Sequence, residues 1–218
     1  PEIDPEQFTI ALWVYVPADY RVSERTFPWL VCKNHHEHAD GNYGVAIVGG
    51  RLQGRLNVGG GRENMSVVDA GRPVKLDAWT HLALSYDGDT LRLYANGEPA
   101  GQTEVGRRRA PGHHGLAFGR RQDNFGDGYH FRGVIDEIQL YDRALSADEV
   151  RRHSSPAGAK GIAGAPVRSW SFDADGIAAA GRPSEQWQDA AMEIRLHAGQ
   201  DVLEHRWNLP AGQTWKGP

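Results

Sequence analysis

The chain has 218 residues, with 24 Lys+Arg against 28 Asp+Glu and a formal net charge of −4. Neither sign forms a long block, so a phosphate-tracking surface is not expected, and with it nucleic acid is excluded as an expected partner. A single cysteine, Cys32, rules out an internal disulfide, and no stretch of 18 apolar residues offers a membrane span.

The opening residues PEIDPEQFT contain no basic and apolar leader, so no signal peptide is read in them. The Pro-Glu start and the Lys216-Gly217-Pro218 end lead us to expect a piece of a longer polypeptide. Residues 8–16, FTIALWVYV, place Phe8, Ile10, Leu12, Val14 and Val16 on one face and Thr9, Ala11, Trp13 and Tyr15 on the other, the period of a strand covered on both sides. In WLVC the apolar run predicts a buried Cys32 thiol acting as a small hydrophobe. YGVAIV and RLQGRLNV flank Gly49-Gly50, which reads as a tight hairpin, and THLALSY, TLRLYAN and EPAGQTEV follow around Asp87-Gly88-Asp89 and Asn96-Gly97 as an antiparallel meander. The basic run Arg107-Arg108-Arg109 beside Ala110-Pro111-Gly112 is expected to be a solvated loop.

GLAFG and YHFRGVIDEIQLY continue the strands, and ALSADEVRRH supplies the one good helix, with Ser146 as N-cap, Glu149 as its capping-box partner and Arg151, Arg152 and His153 at the C-terminal end. The Gly/Pro/Ser-rich stretch 156–166 has a linker's composition. We therefore divide the chain at 1–155, 156–166 and 167–218. The last part holds VRSWSFD and a hairpin of AMEIRLHA and VLEHRWNL, and it is too short for an independent core, since domains of roughly 60 residues are already marginal. Trp170, Trp187, Trp207 and Trp215 are expected to anchor it, whereas Trp13, Trp29 and Trp79 lie in strands and read as core.

Taken together, FTIALWVYVP, WTHLALSYDGDTLRLYANGEPAG and GLAFGRR…FRGVIDEIQLYDRALSADEV resemble the laminin-G-like domains of the concanavalin A-like lectin/glucanase superfamily over about residues 7–153. The resemblance implies an all-β fold, an antiparallel jelly-roll β-sandwich, here with one short helix and a C-terminal hairpin extension. It also implies an extracellular, cell-surface or periplasmic module that binds glycans or proteins, often with a structural calcium ion. Family members usually begin with a W-x-F-D strand beside the closing IDE strand; here that pattern appears at 167–176, so the tail either closes the sandwich in permuted order or opens a neighbouring domain. Closure is favoured, because an unpaired edge beside the IDE strand would expose ladder groups.

Strict alternation in VIDEIQLY places Val134, Asp136, Ile138 and Leu140 on one face and Ile135, Glu137, Gln139 and Tyr141 on the other. A carboxylate in an apolar row needs a partner. Two readings stand level: Asp136 as a Ca2+ ligand, with Asp173 or Asp175 completing a shell of roughly 6–8 oxygens, or Asp136 accepting backbone N–H bonds at a sheet edge. The same strand lacks the same-face carboxylate pair of the glucanases, which retaining hydrolysis needs about 5–5.5 Å apart. G-x-S-x-G, H-E-x-x-H and P-loop motifs are also missing from the sequence, so no enzyme is expected.

The segment HHEHADG, with His35, His36 and His38, is expected to be a solvated, ligand-contacting loop in preference to a metal site, because adjacent histidines do not readily face one ion. His113-His114 is read the same way. Sugar recognition calls for exposed aromatic and planar polar side chains on loops. The candidates are Tyr43, Arg62, Asn64, Arg121, Asp123, Asn124 and Tyr129. The expected function is a non-catalytic carbohydrate-binding or adhesive module of a larger secreted or cell-surface protein, its partner a glycan or a neighbouring domain; the alternative is a module that braces an adjacent catalytic domain, and a hydrolase or lyase is least favoured.

Overall fold

The computed structural model describes residues 3–20, 27–110, 112, 114–123, 129–155 and 162–171, and the backbone of two further strands, Met192–Ala198 and Asp201–Trp207. The fold is all-β, two sheets packed face to face with one short helix. In chain order the strands are β1 Phe8–Tyr15, β2 Trp29–Lys33, β3 Tyr43–Val48, β4 Arg51–Asn57, β5 Met65–Pro73, β6 Trp79–Tyr86, β7 Thr90–Ala95, β8 Glu98–Glu104, β9 Leu116–Phe118, β10 Val134–Tyr141, β11 Arg168–Trp170, β12 Met192–Ala198 and β13 Asp201–Trp207, with helix α1 Ala147–His153 between β10 and β11. One sheet runs β11-β10-β1-β6-β7-β8 and the other β12-β13-β9-β2-β3-β4-β5. All pairings are antiparallel except β13 with β9.

The core follows from alternation. Phe8, Ile10, Leu12, Val14 and Val16, Leu82, Leu84 and Tyr86, and Leu91 and Leu93 face inward from one sheet, against Tyr43, Val45 and Ile47, Leu52 and Leu56, and Val68 from the other. Gly49 and Gly50 have φ of +56° and +75°, the left-handed geometry that a two-residue hairpin loop requires and glycine supplies without strain. Helix α1 is capped as its sequence predicts: Glu149 N–H donates to the Ser146 hydroxyl, and Ser146 N–H donates to the Glu149 carboxylate. It packs Val150 with Ala11, Ala83, Tyr94, Tyr141 and Leu145 on the outside of the six-stranded sheet. Ser146→Ala should lower stability by about 1 kcal/mol, read as a fall of roughly 2–4 °C in Tm.

Two bulges break the period of two. In β10, Gln139 pairs with Ala11 and Asp136 with Trp13, so Glu137 and Ile138 together oppose Leu12; Glu137 takes φ +50° to make the extra step. The phase therefore flips, and Ile135 joins Ile138 and Leu140 in the core. This corrects the strict alternation expected for VIDEIQLY: Asp136 is buried, but beside Trp13 on the sheet's outer side instead of in the apolar row. In β2 the register shifts between Trp29 and Val31, turning both Leu30 and Val31 inward and leaving Trp29 and Cys32 on the outer face with Ala46.

Strand β11 pairs with β10 through Trp170 opposite Ile138, and its Trp170 ring meets Phe118 at 5.0 Å. The edge of β10 is thus occupied by the segment containing the Trp-Ser-Phe-Asp pattern. Trp187 and Trp215, and the side chain of Trp207, lie outside the described residues.

Arg109 overturns the solvated reading of its basic run. Its side chain is fully buried, its guanidinium lies 5.0 Å from the Tyr43 ring, Nε and Nη2 donate to Gly41 O, Nη1 donates to Pro5 O, and Nη2 pairs with Asp4. Asp4 also stands 3.7 Å from the buried Lys33 ammonium. The network ties the chain's beginning to the β2–β3 loop.

Candidate functional site

On the outer side of β2, β3 and β4, where an ordinary solvent face would carry scattered polar groups, a third apolar cluster forms from Trp29, Cys32 and Ala46, joined by Phe27, Val48 and Tyr129. Its placement has a backbone cause. A Cβ at Gly44 would stand 2.1 Å from Val31 O and 2.8 Å from the Trp29 ring, so only glycine lets the indole lie across β3. Phe27 and Tyr129 meet edge to face at 4.9 Å. Arg55, outward on β4 and paired across to Gly44, has its guanidinium carbon 5.1 Å from the Phe27 ring and 5.7 Å from the Trp29 ring. Arg121 lies over Tyr129 at 4.5 Å.

The loop at 34–42 closes one end of this face. Glu37 is buried and stands 3.2 Å from Arg121 Nη1, while Arg121 also binds Asp123 through Nε, at 3.0 Å, and Nη2. Asn57 Nδ2 donates to Glu37 O at 3.0 Å, and Gly61 N donates to His38 O at 2.9 Å. Gly59 N donates to the Asp40 carboxylate at 2.7 Å, and Gln122 N donates to His35 O at 3.2 Å. One loop therefore joins the turn carrying Arg62 and Asn64 to the segment carrying Arg121 and Asp123.

Electrostatics reflect this crowding. Burial, and then the Arg121 charge, hold the His36 pKa below its ordinary value. Burial lowers that of Arg55 and raises that of the Cys32 thiol, which stays a neutral hydrophobe as its apolar context predicts. Among the described residues five buried side-chain polar atoms of this face and its loop have no hydrogen-bond partner: Trp29 Nε1, Arg55 Nε, His38 Nδ1, Asn42 Oδ1 and Glu37 Oε2, the last ion-paired with Arg121.

Against the sequence expectations, Arg121, Asp123 and Tyr129 converge, and Asn64 is built into the adjoining turn, accepting from Arg107 at 2.7 Å and donating to Gly60 O at 2.6 Å. Arg62 is exposed in the same turn. Tyr43 is corrected. It shares parity with Val45 and Ile47, so it is fully buried in the core, stacked on Phe8 at 4.3 Å and donating its hydroxyl proton to Ile3 O at 2.9 Å. The 34–42 loop is less solvated than expected, with Asn34, Glu37 and Asn42 all buried. Trp29 belongs to the outer face, not the core between the sheets. Asn124 and His113 lie outside the described residues.

Among the described residues no three His, Cys, Asp or Glu side chains gather as metal ligands. Asp136 Oδ1 accepts the Glu137 N–H at 2.8 Å, and Asp173 and Asp175 lie outside the described residues. Sequence reasoning missed Phe27, Glu37 and Arg55; the available signals were an arginine at mid-strand beside Gly54 and the glycine opposite it at Gly44.

Residues 1–151 match the family model Laminin_G_3, described as the concanavalin A-like lectin/glucanases superfamily, and the chain belongs to that family. No curated protein matches the sequence. Several solved structures share the fold. A native heptameric SAP-like pentraxin from Limulus polyphemus is 20% identical, with 71% of this chain and 72% of that chain covered at a TM-score of 0.53. Domain 4 of AbnA, an extracellular arabinanase from Geobacillus stearothermophilus solved with arabinotriose, is 20% identical over 70% of this chain and 68% of its own, at 0.51. The CBM40 of Ruminococcus gnavus IT-sialidase, bound to α2,3 sialyllactose, is 20% identical over 70% and 84%, also at 0.51.

Proposed function

We propose that this chain is a non-catalytic carbohydrate-binding module of a larger secreted or cell-surface protein, and that it binds glycan on the outer face of its seven-stranded sheet. One observation carries the reading: two half-buried aromatic rings, Phe27 and Tyr129, and two guanidinium groups, Arg55 and Arg121, converge there over the buried Trp29 indole. Aromatic rings cover the apolar C–H faces of a sugar, and planar polar groups fix the direction of its hydroxyls. The arabinotriose and sialyllactose complexes of two proteins with this fold support the reading. Glu37 and Asp123 both engage Arg121, and in this reading they hold its guanidinium in position.

A glycan array tests it. The wild-type chain should retain at least one glycan class, and Phe27→Ala and Tyr129→Ala should each weaken binding about 10-fold or more, given roughly 1–3 kcal/mol for an aromatic contact of this kind. Trp13→Ala, on the opposite sheet, should leave it unchanged. Retention of no glycan at all, or loss of binding with Trp13→Ala alone, would overturn the reading.

A further inference from the structure

Three arginines are buried among the described residues, and two have carboxylates: Arg109 pairs with Asp4, and Arg121 with Glu37 and Asp123. Arg55 has none. Its Nη2 donates to the neutral Gln53 Oε1 at 3.0 Å, its Nη1 reaches only Met65 Sδ at 3.9 Å, and its Nε has no partner. The residue is 8% exposed. A buried cation without a counter-charge is costly. Here aromatic rings offset part of that cost, and Glu37, the carboxylate whose charge it feels, is engaged by Arg121.

The guanidinium's Nε–H and Nη1–H hold no oxygen acceptor, so the edge of its plane is the side left for an added partner. That edge matches a planar carboxylate, which accepts two parallel N–H bonds, better than it matches a lone hydroxyl. Trp29 Nε1, a second buried donor lacking an acceptor, belongs to the same cluster. From these observations we propose that Arg55 is the specificity-determining residue of the face and selects sugars bearing a carboxylate. The inference rests on the carbohydrate-binding reading and names the class of glycan that the face prefers.

Calorimetric titration tests it with methyl glycosides of glucuronic, galacturonic and N-acetylneuraminic acids, the neutral glucose and galactose counterparts, and a 6-sulfated galactose, against wild type, Arg55→Gln and Arg55→Lys. At least one carboxylate sugar should bind the wild type 10-fold or more tightly than its neutral counterpart. Arg55→Gln should erase that preference, costing the carboxylate sugars 10-fold or more beyond any loss shared with the neutral ones, and Arg55→Lys, a point charge without the planar fork, should retain part of it. Equal affinity for acidic and neutral sugars, a preference for the sulfated sugar, or a preference surviving in Arg55→Gln would overturn the inference and leave the module a glycan binder. Failure of every sugar to bind the wild type, together with an empty glycan array, would instead remove the functional reading on which it stands.

Discussion

Arg109→Ala should melt roughly 10 °C below the wild type, from a loss of about 3–5 kcal/mol. The guanidinium is fully buried, and its removal strips donors from Gly41 O and Pro5 O and leaves Asp4 facing only the Lys33 ammonium at 3.7 Å. It also vacates the space over the Tyr43 ring, which stacks on Phe8. Unpaired buried groups cost more than their pairing contributed, so the effect should exceed that of an exposed ion pair such as Arg151 with Glu98 several-fold. Arg108→Ala, its exposed neighbour, provides the control and should stay within about 0.5 kcal/mol of wild type. Thermal melts of the two variants side by side decide the matter: coincident curves would show that the network does not clamp the chain's beginning to the β2–β3 loop.

The second large effect is acid sensitivity. His81 Nε2 and His153 Nδ1 lie 2.9 Å apart beneath helix α1, with His153 Nε2 3.1 Å from Gln139 Oε1. Gln139 Oε1 also accepts the Tyr141 hydroxyl at 2.8 Å, so a neutral His153 donates to it from Nε2 and accepts from His81 at Nδ1. Burial, and then the His153 charge, push the His81 pKa down to about 3, and burial lowers that of His153. Both folded values lie below the unfolded one, so the unfolded chain binds more protons in acid. The stabilisation is complete above pH 6.5 and declines as pH falls below it. At pH 4.5 His81 alone should have cost about 2–3 kcal/mol, at 1.36 kcal/mol per pH unit. Glu149, paired with Arg143 and held at about 2, adds its own loss only below the ordinary carboxylate range, so the window from 6.5 to 4.5 isolates the histidines from it. Denaturant titrations at intervals across that window should show the slope in wild type and its reduction by about half or more in His81→Gln; an unchanged slope in that variant would refute the assignment.

The sheets were legible because most strands keep a strict period. Phe8 to Val16 declares its buried face in five alternating apolar residues, Gly49-Gly50 fixes a hairpin, and Ser146 with Glu149 marks a helix start. What alternation could not reveal were the bulges. A single extra residue at Glu137–Ile138 moved Asp136 off the apolar row, and another at Leu30–Val31 turned Trp29 outward. Register shifts of this kind depend on the partner strand, which a local pattern does not contain. Tyr43 failed for the opposite reason: its parity with Val45 and Ile47 already placed it in the core, and its chemistry was given more weight than its position. The burial of Arg109 and the convergence of Glu37, Asp123 and Arg121 depend on contacts between segments more than 60 residues apart in sequence, which no local motif encodes.

The most direct test of the account follows the side-chain N–H resonances of Trp29 and Arg55 by NMR while the tightest-binding saccharide of the panel is added. Among the described residues Trp29 Nε1–H and Arg55 Nε–H have no acceptor, so the account predicts that these two signals shift in a saturable way while the indole signals of Trp13 and Trp79, on the other sheet, stay fixed. Shifts confined to Trp13 and Trp79, with Trp29 and Arg55 unmoved at saturation, would contradict it.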